Sequence, residues 1–163
     1  MRQGEILGLH WEDIHGSVIH VQHTTQTLYK KGIIISEPKT EKGKRAITLP
    51  DIAIYALQDY QKITGDNTGL VFHTASGKPL SARNLIRGFQ VLLKKVNLPH
   101  IRFHDLRHTS ATLLLIAGVH PKVVQERLGH SRIDMTLDTY SHVVPSLQED
   151  AAEKMNRLFV EKV

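Results

Sequence analysis

The chain contains no cysteine. Disulfides and thiolate-held metals are therefore excluded, and the composition fits a reducing compartment. Aromatic residues are scarce, at 6% with a single Trp. The most apolar run, residues 113–119, falls far short of the roughly 20 residues that a membrane-crossing helix needs. No secretory signal is visible at Met1, and there is no internal repeat or low-complexity tract. Acidic residues are in the minority: 16 Asp and Glu against 21 Lys and Arg, for a formal charge of +5 and a pI near 9.5. What is present is ordinary for a globular protein. The chain has 163 residues, 40% hydrophobic and 23% charged, enough for one domain with its own core.

The positive charge is concentrated. Residues 28–50 carry Lys30, Lys31, Lys39, Lys42, Lys44 and Arg45 against Glu37 and Glu41. Residues 78–107 carry Lys78, Arg83, Arg87, Lys94, Lys95, Arg102 and Arg107 against Asp105 alone. Two basic segments of this kind suit a phosphate backbone, although a solvated basic surface would read the same way.

Residues 2–9 read as part of a helix. An arginine at position 2 has little chain before it to hold it, so Arg2 is expected to be frayed. Residues 14–27, 32–36 and 45–49 read as three strands of one small antiparallel sheet, with a turn at His15 and Gly16 and a polar hairpin over 37–44. Pro50 stops the third strand. An amphipathic helix capped by Asp51 should run to Ile63. A second, capped by Ser81, should reach Val96 and bury Leu85, Phe89, Leu92 and Leu93, leaving Arg83 and Arg87 free to meet phosphates. Residues 70–72 should form a short buried segment. A last helix over 146–160 carries an apolar stripe of Leu147, Ala151, Met155, Leu158 and Phe159.

The densest chemistry lies between His104 and His142. His104 and Arg107 are three apart, so on a helix they would share a face. Leu106, Leu113, Leu114 and Ala117 would support that helix at i, i+7, i+8 and i+11. Gly118 can close it in a left-handed cap, Pro121 suits the first turn of the next helix, and Gly129 can end that one. His130 follows at the junction. Ser131 and Asp134 resemble a capping pair for a further short helix, with Tyr140 near its end. His104 and His108 stand at i, i+4 like a helical metal pair. They lack the Glu of H-E-x-x-H, however, and Arg107 would repel a cation.

In order along the chain come Arg2 with Glu5, Lys39 before Thr40, H-x-x-R at 104–107, L-G-H at 128–130, and Tyr140. This order resembles the catalytic core of tyrosine recombinases, the phage integrase family, and most closely integrases of phages and conjugative transposons. The likeness implies an α+β, mostly helical DNA breaking-rejoining fold with a small three-stranded antiparallel sheet. It implies site-specific recombination of double-stranded DNA through a covalent 3′-phosphotyrosyl intermediate, with no metal or cofactor. Arg2 and Arg107 would clamp the phosphate, since guanidinium forks match it in shape. Tyr140 would attack, Lys39 would protonate the leaving oxygen, with Lys42 and Lys44 competing for that role on the same hairpin, His104 would orient the phenol or accept its proton, and His130 would donate to a non-bridging oxygen. Glu5 would orient Arg2 or a histidine. Lys42, Lys44, Arg83 and Arg87 would touch DNA.

The family carries a DNA-clamping domain before this unit. The expected organisation is thus a single catalytic domain over 1–163, truncated at its N-terminus, weak on DNA alone, with a tail at 146–163 that mediates self-association into a tetramer in synapsis. The setting would be cytoplasmic and DNA-associated, without a membrane. Two other readings compete. Residues 113–128 look like a helix-turn-helix, so a non-catalytic DNA-binding module is one. A type IB topoisomerase-like nicking-closing enzyme, with the same chemistry but no synapsis, is the other.

Overall fold

A computed structural model describes residues 1–38, 40, 43–130, 152–153, 155–157 and 159. The first short helix is α1 (Gln3–Leu7). A 3-10 turn (Trp11–Asp13) leads into strands β1 (Ile14–His15), β2 (Val18–Val21), β3 (Thr24–Leu28), β4 (Gly32–Ser36) and β5 (Arg45–Thr48). Helices α2 (Asp51–Thr64), α3 (Ala82–Lys95), α4 (Asp105–Ile116) and α5 (Pro121–Leu128) follow. The result is a mostly helical α+β unit.

The sheet differs in detail from the sequence expectation. Residues 14–27 form not one strand but three short ones. A three-stranded antiparallel sheet does exist, but its order is β1-β2-β5, while β3 and β4 pair separately as a two-stranded ribbon. The break at residues 22–23 redirects the chain so that β3 runs beneath α1. That packing is close. A Cβ on Gly4 would sit 2.6 Å from Thr24 Oγ1 and 2.7 Å from the Thr25 carbonyl oxygen, so only glycine lets the helix backbone approach the strand this far.

Two apolar clusters hold the unit together. Leu9, Trp11, Ile19, Val21, Ile47 and Val71 form the first, with Leu57 and Tyr60 of α2 laid against it. The period-2 pattern of β2 accounts for its share: Ile19 and Val21 face inward, and Val18 and His20 are half-buried on the other side. Residues 70–72 join as predicted, with the Val71 N–H donating to the Leu9 carbonyl at 2.8 Å. The second cluster is Ala111 and Leu115 of α4 against Val124 and Leu128 of α5. This pair is a helix–turn–helix, closed at Gly118 and restarted at Pro121 as the sequence indicates.

Several side chains depart from expectation. The buried face of α4 is Arg107, Ala111 and Leu115, whereas Leu106 and Leu113 are exposed. On α3, Leu93 is buried but Leu92 is exposed. Asp51 is the first residue of α2, behind Pro50 at the cap. Ser81 caps α3 as predicted, its Oγ accepting from the Asn84 N–H at 3.1 Å. Most of the 146–163 tail, with Ser131 and Asp134, lies outside the described residues.

Candidate active site

The site is built on the C-terminal end of α5. A helix leaves its last carbonyls unpaired and carries partial negative charge there. Three successive carbonyls at this end each accept from a different arginine. Arg45 Nε donates to the Arg127 carbonyl at 2.9 Å, Arg107 Nη2 to that of Leu128 at 2.5 Å, and Arg2 Nη2 to that of Gly129 at 2.6 Å. The three guanidiniums come from β5, α4 and the start of α1, so this helix end ties together three separate parts of the chain.

One buried carboxylate offsets part of that charge. Glu5, 3% exposed, accepts from Arg45 Nη1 at 3.1 Å and Nη2 at 2.8 Å. It also accepts from Arg2 Nη1 at 2.9 Å and from the Arg2 backbone N–H at 2.6 Å. Burial works against ionisation of Glu5, but the hydrogen bonds from Arg45 and the Arg2 backbone outweigh it and bring its pKa down to about 2. Arg2, predicted to be frayed, is thus fixed at both ends of its guanidinium. Glu5 thus binds Arg2. Its other side-chain partner among the described residues is Arg45.

Gly129 is required twice over. Its φ is +68°, in the left-handed region, and a Cβ there would lie 2.9 Å from Arg45 Nη1. The glycine lets α5 end sharply and leaves room for the arginine beneath it.

Arg107 is buried, and its Nη1 has no hydrogen-bond partner among the described residues. Burial first, then the neighbouring charges of Arg2 and Arg45, lowers its pKa to about 10, so it stays cationic at neutral pH. His130 is also buried, and its carbonyl accepts from Gln125 Nε2 at 3.2 Å. Burial and the positive field of Arg107 and Arg2 push its pKa to about 4. At neutral pH it is an uncharged imidazole with one N–H to donate.

A cleft of about 310 Å³ opens beside this cluster, lined by Arg2, Glu5, Thr24, Gln26, Pro38, Thr40, Gly43 and Gly129. A second cavity of about 250 Å³, on the other side of Gly129, is lined by Lys44, Arg45, Lys122, Gln125, Glu126 and His130. The cleft walls include residues that flank Lys39 and Lys42 in sequence.

Of the sequence-predicted residues, Arg2, Glu5, Arg107 and His130 therefore meet around one helix end. His104 precedes Arg107 by one helical turn, its carbonyl accepting from the Arg107 N–H at 3.0 Å. It is the exposed N-cap of α4, its ring edge-on to His108 at 4.9 Å between centroids. Partial burial, then the charges of His108 and Arg107, lowers its pKa. Lys44 is half-exposed and paired with Glu37 at 2.6 Å. Arg83 and Arg87 lie exposed on α3, which is anchored to α1 by Gln3 Nε2 donating to the Ala82 carbonyl at 3.2 Å. Lys39, Lys42 and Tyr140 lie outside the described residues. Arg45 is the member that sequence reasoning missed. The available signal was a charged residue opening a strand whose other inward position, Ile47, is core.

Comparison with known proteins gives a consistent result. A match to the phage integrase family spans residues 1–146. A "Tyrosine recombinase XerC-like" protein of Caldanaerobacter subterraneus subsp. tengcongensis is 32% identical over 98% of this chain and 47% of its own length. The ICEBs1 integrase of Bacillus subtilis is 27% identical over 97% of this chain and 46% of its own length. Among solved structures, the Tn1549 transposon integrase in complex with circular intermediate DNA superposes with a TM-score of 0.80 at 32% identity, covering 97% of this chain and 56% of that one. XerA recombinase, at 22% identity and a TM-score of 0.69, shares the fold. The chain spans about half the length of the relatives it matches. The matched span takes in every arginine at the end of α5, together with Glu5 and His130, and the chain belongs to the phage integrase family.

Proposed function

We propose that this chain is the catalytic unit of a tyrosine-type site-specific recombinase that cuts and rejoins double-stranded DNA. The observation that carries this reading is the convergence of Arg2, Arg45 and Arg107 on the last carbonyls of α5, with His130 on the same turn. A phosphodiester repels nucleophiles and has a poor leaving group. A cluster of fixed cations answers the first difficulty, because preorganised charge needs no rearrangement as the transition state forms.

In this reading Arg2 and Arg107 bind the non-bridging oxygens, and His130, neutral, donates a hydrogen bond to one of them. The phenol oxygen of Tyr140 attacks phosphorus. The bond to the 5′ oxygen breaks, Lys39 gives that oxygen its proton, and a 3′-phosphotyrosyl ester remains. His104 orients Tyr140 or takes its proton. Attack by a 5′ hydroxyl of another strand reverses the step, so the bond energy is retained and no nucleotide cofactor is consumed. Glu5 holds Arg2 in place, and Lys42, Lys44, Arg83 and Arg87 contact backbone phosphates along the approach. DNA with specific recombination sites is the partner, the Tn1549 integrase having been solved on DNA. Four copies would assemble in synapsis through the 146–163 tail.

The test is covalent capture. Nicked duplexes with randomised arms are incubated with the protein and run on a denaturing gel. The expected result is a protein–DNA adduct that Tyr140→Phe abolishes. Sequence-specific binding by the intact chain without any adduct would establish a non-catalytic reader instead. Relaxation of supercoils with no recombinant product would establish a topoisomerase-like enzyme.

A further inference from the structure

We propose that His10, Asp13 and His23 form a divalent transition-metal site, of the zinc type, with a structural role separate from the reaction. The three side chains offer ligand atoms that all lie within 4.8 Å of one another. Asp13 Oδ2 is 3.1 Å from His23 Nδ1 and 3.8 Å from His10 Nδ1. Zinc binds nitrogen and carboxylate oxygen at about 2.0–2.2 Å, so two donors on a tetrahedron sit roughly 3.3–3.5 Å apart. The two observed separations bracket that edge. The donor atoms of the two imidazoles lie within 4.8 Å of each other, so binding would draw the rings together around the ion.

The charge balance points the same way. The Asp13 side chain is 5% exposed, and among the described residues its ion-pair partners are two imidazoles, with no Lys or Arg. A buried carboxylate with no Lys or Arg beside it among the described residues lacks a fixed counter-charge. The imidazoles are themselves partly open to solvent, at 23% and 35% of their side-chain surface, which leaves an ion a way in. Imidazole with carboxylate suits zinc, nickel or copper better than calcium or magnesium. An outer shell is already present. The His10 backbone N–H donates to Asp13 Oδ2 at 3.1 Å, the kind of contact that fixes a ligating carboxylate. On metal binding the ring proton of each histidine moves from Nδ1 to Nε2, which releases His10 Nδ1 from the Gly8 carbonyl, now 2.9 Å away. Water would fill the fourth corner.

Its place in the fold defines the role. His10 and Asp13 bracket the 3-10 turn, and His23 sits at the break between β2 and β3. A metal there would staple the chain leaving α1 to the start of the strand beneath α1. It would thereby fix the helix that presents Arg2 and Glu5.

The full chain is stripped with chelator and titrated with zinc chloride alone by calorimetry. Cobalt is used in parallel for its tetrahedral absorption bands. The expected result is one zinc per chain, tetrahedral cobalt bands, and a rise in Tm with zinc. His23→Gln and His10→Gln should each weaken binding by at least about tenfold, and the far-ultraviolet circular dichroism of both should match the parent. The chain has 11 histidines, so the double variant is the decisive control. Absence of zinc binding, or affinity and stoichiometry that survive in the double variant, overturns the proposal.

Discussion

Replacing Arg45 by methionine should cost more stability than removing any exposed charge among the described residues. The side chain is 8% exposed and makes four hydrogen bonds: two to Glu5 and one each to the carbonyls of Arg127 and Gly43. Methionine fills similar volume without a donor. Glu5 would keep only Arg2, and the Arg127 carbonyl would lose its partner. Breaking a buried ion pair from one side costs about 3–5 kcal/mol. The titration of Glu5, to which Arg2 contributes as well as Arg45, gives a figure of the same order. Glu5 is lowered from 4.5 to about 2, and at 1.36 kcal/mol per unit that is about 3 kcal/mol of pH-linked stability. The sign follows from the direction: a depressed carboxylate stabilises the fold above pH 4.5, and the contribution drains away as pH falls towards 2. Urea unfolding at pH 7 should therefore show a clear fall in midpoint for Arg45→Met. The acid-dependent loss between pH 4.5 and 2 should shrink in the variant, because less remains to be lost. A double-mutant cycle with Glu5→Gln should give a coupling well above 1 kcal/mol, the upper range of exposed pairs. A midpoint unchanged at pH 7, or a cycle with no coupling, would refute the view that this pair organises the site.

Two further outcomes are expected. Gly129→Ala should destabilise by about 2 kcal/mol or more, adding a clash with Arg45 to left-handed strain, whereas Gly118→Ala, at φ +77° with open space around its Cβ, should lose only about 1 kcal/mol; equal losses in thermal melts would deny the clash. His130, brought to about 4 by burial and by Arg107 and Arg2, should titrate near that value by NMR in the free protein and move upward when Arg107 is replaced by methionine, since a cationic neighbour has been removed.

Much of the architecture is legible in the sequence because its signals are local. Gly118, Pro121 and Gly129 punctuate α4 and α5 by backbone preference alone, and Ser81 announces α3 through its own cap. The face a helix buries is a different matter. Leu106 and Leu113 fit a helical period, yet α4 presents Ala111 and Leu115 to α5 and leaves both leucines exposed. The partner helix sets that rotation, and nothing within α4 encodes it. The same limit hides Arg45. Its contact with Glu5 spans 40 positions, and its contact with the Arg127 carbonyl spans 82. No spacing rule joins residues so far apart. The strand at 14–27 also reads as continuous, because alternation persists through the break at residues 22–23 that sends β3 under α1.

The cationic cluster has a consequence for ligand binding that can be measured without DNA. Among the described residues, three guanidiniums and one carboxylate leave two positive charges at the end of α5, and Arg107 Nη1 is buried without a partner. Helix-end carbonyls supply only partial negative charge, and the pKa of Arg107, lowered first by burial and then by the charges of Arg2 and Arg45, is what a buried cation without a full counter-charge would have. A tetrahedral dianion entering beside Arg2 would supply what is missing. Phosphate at about ten times its dissociation constant should stabilise the fold by roughly 1.4 kcal/mol. Salt that merely strengthens burial acts on the whole surface, so the comparison has to be internal. Phosphate and chloride at equal ionic strength are compared in the parent and in Arg107→Met. The extra shift in Tm with phosphate should be present in the parent and absent in the variant. An equal shift in both would show that the anion acts on the surface at large, and that this helix end does not hold a phosphate.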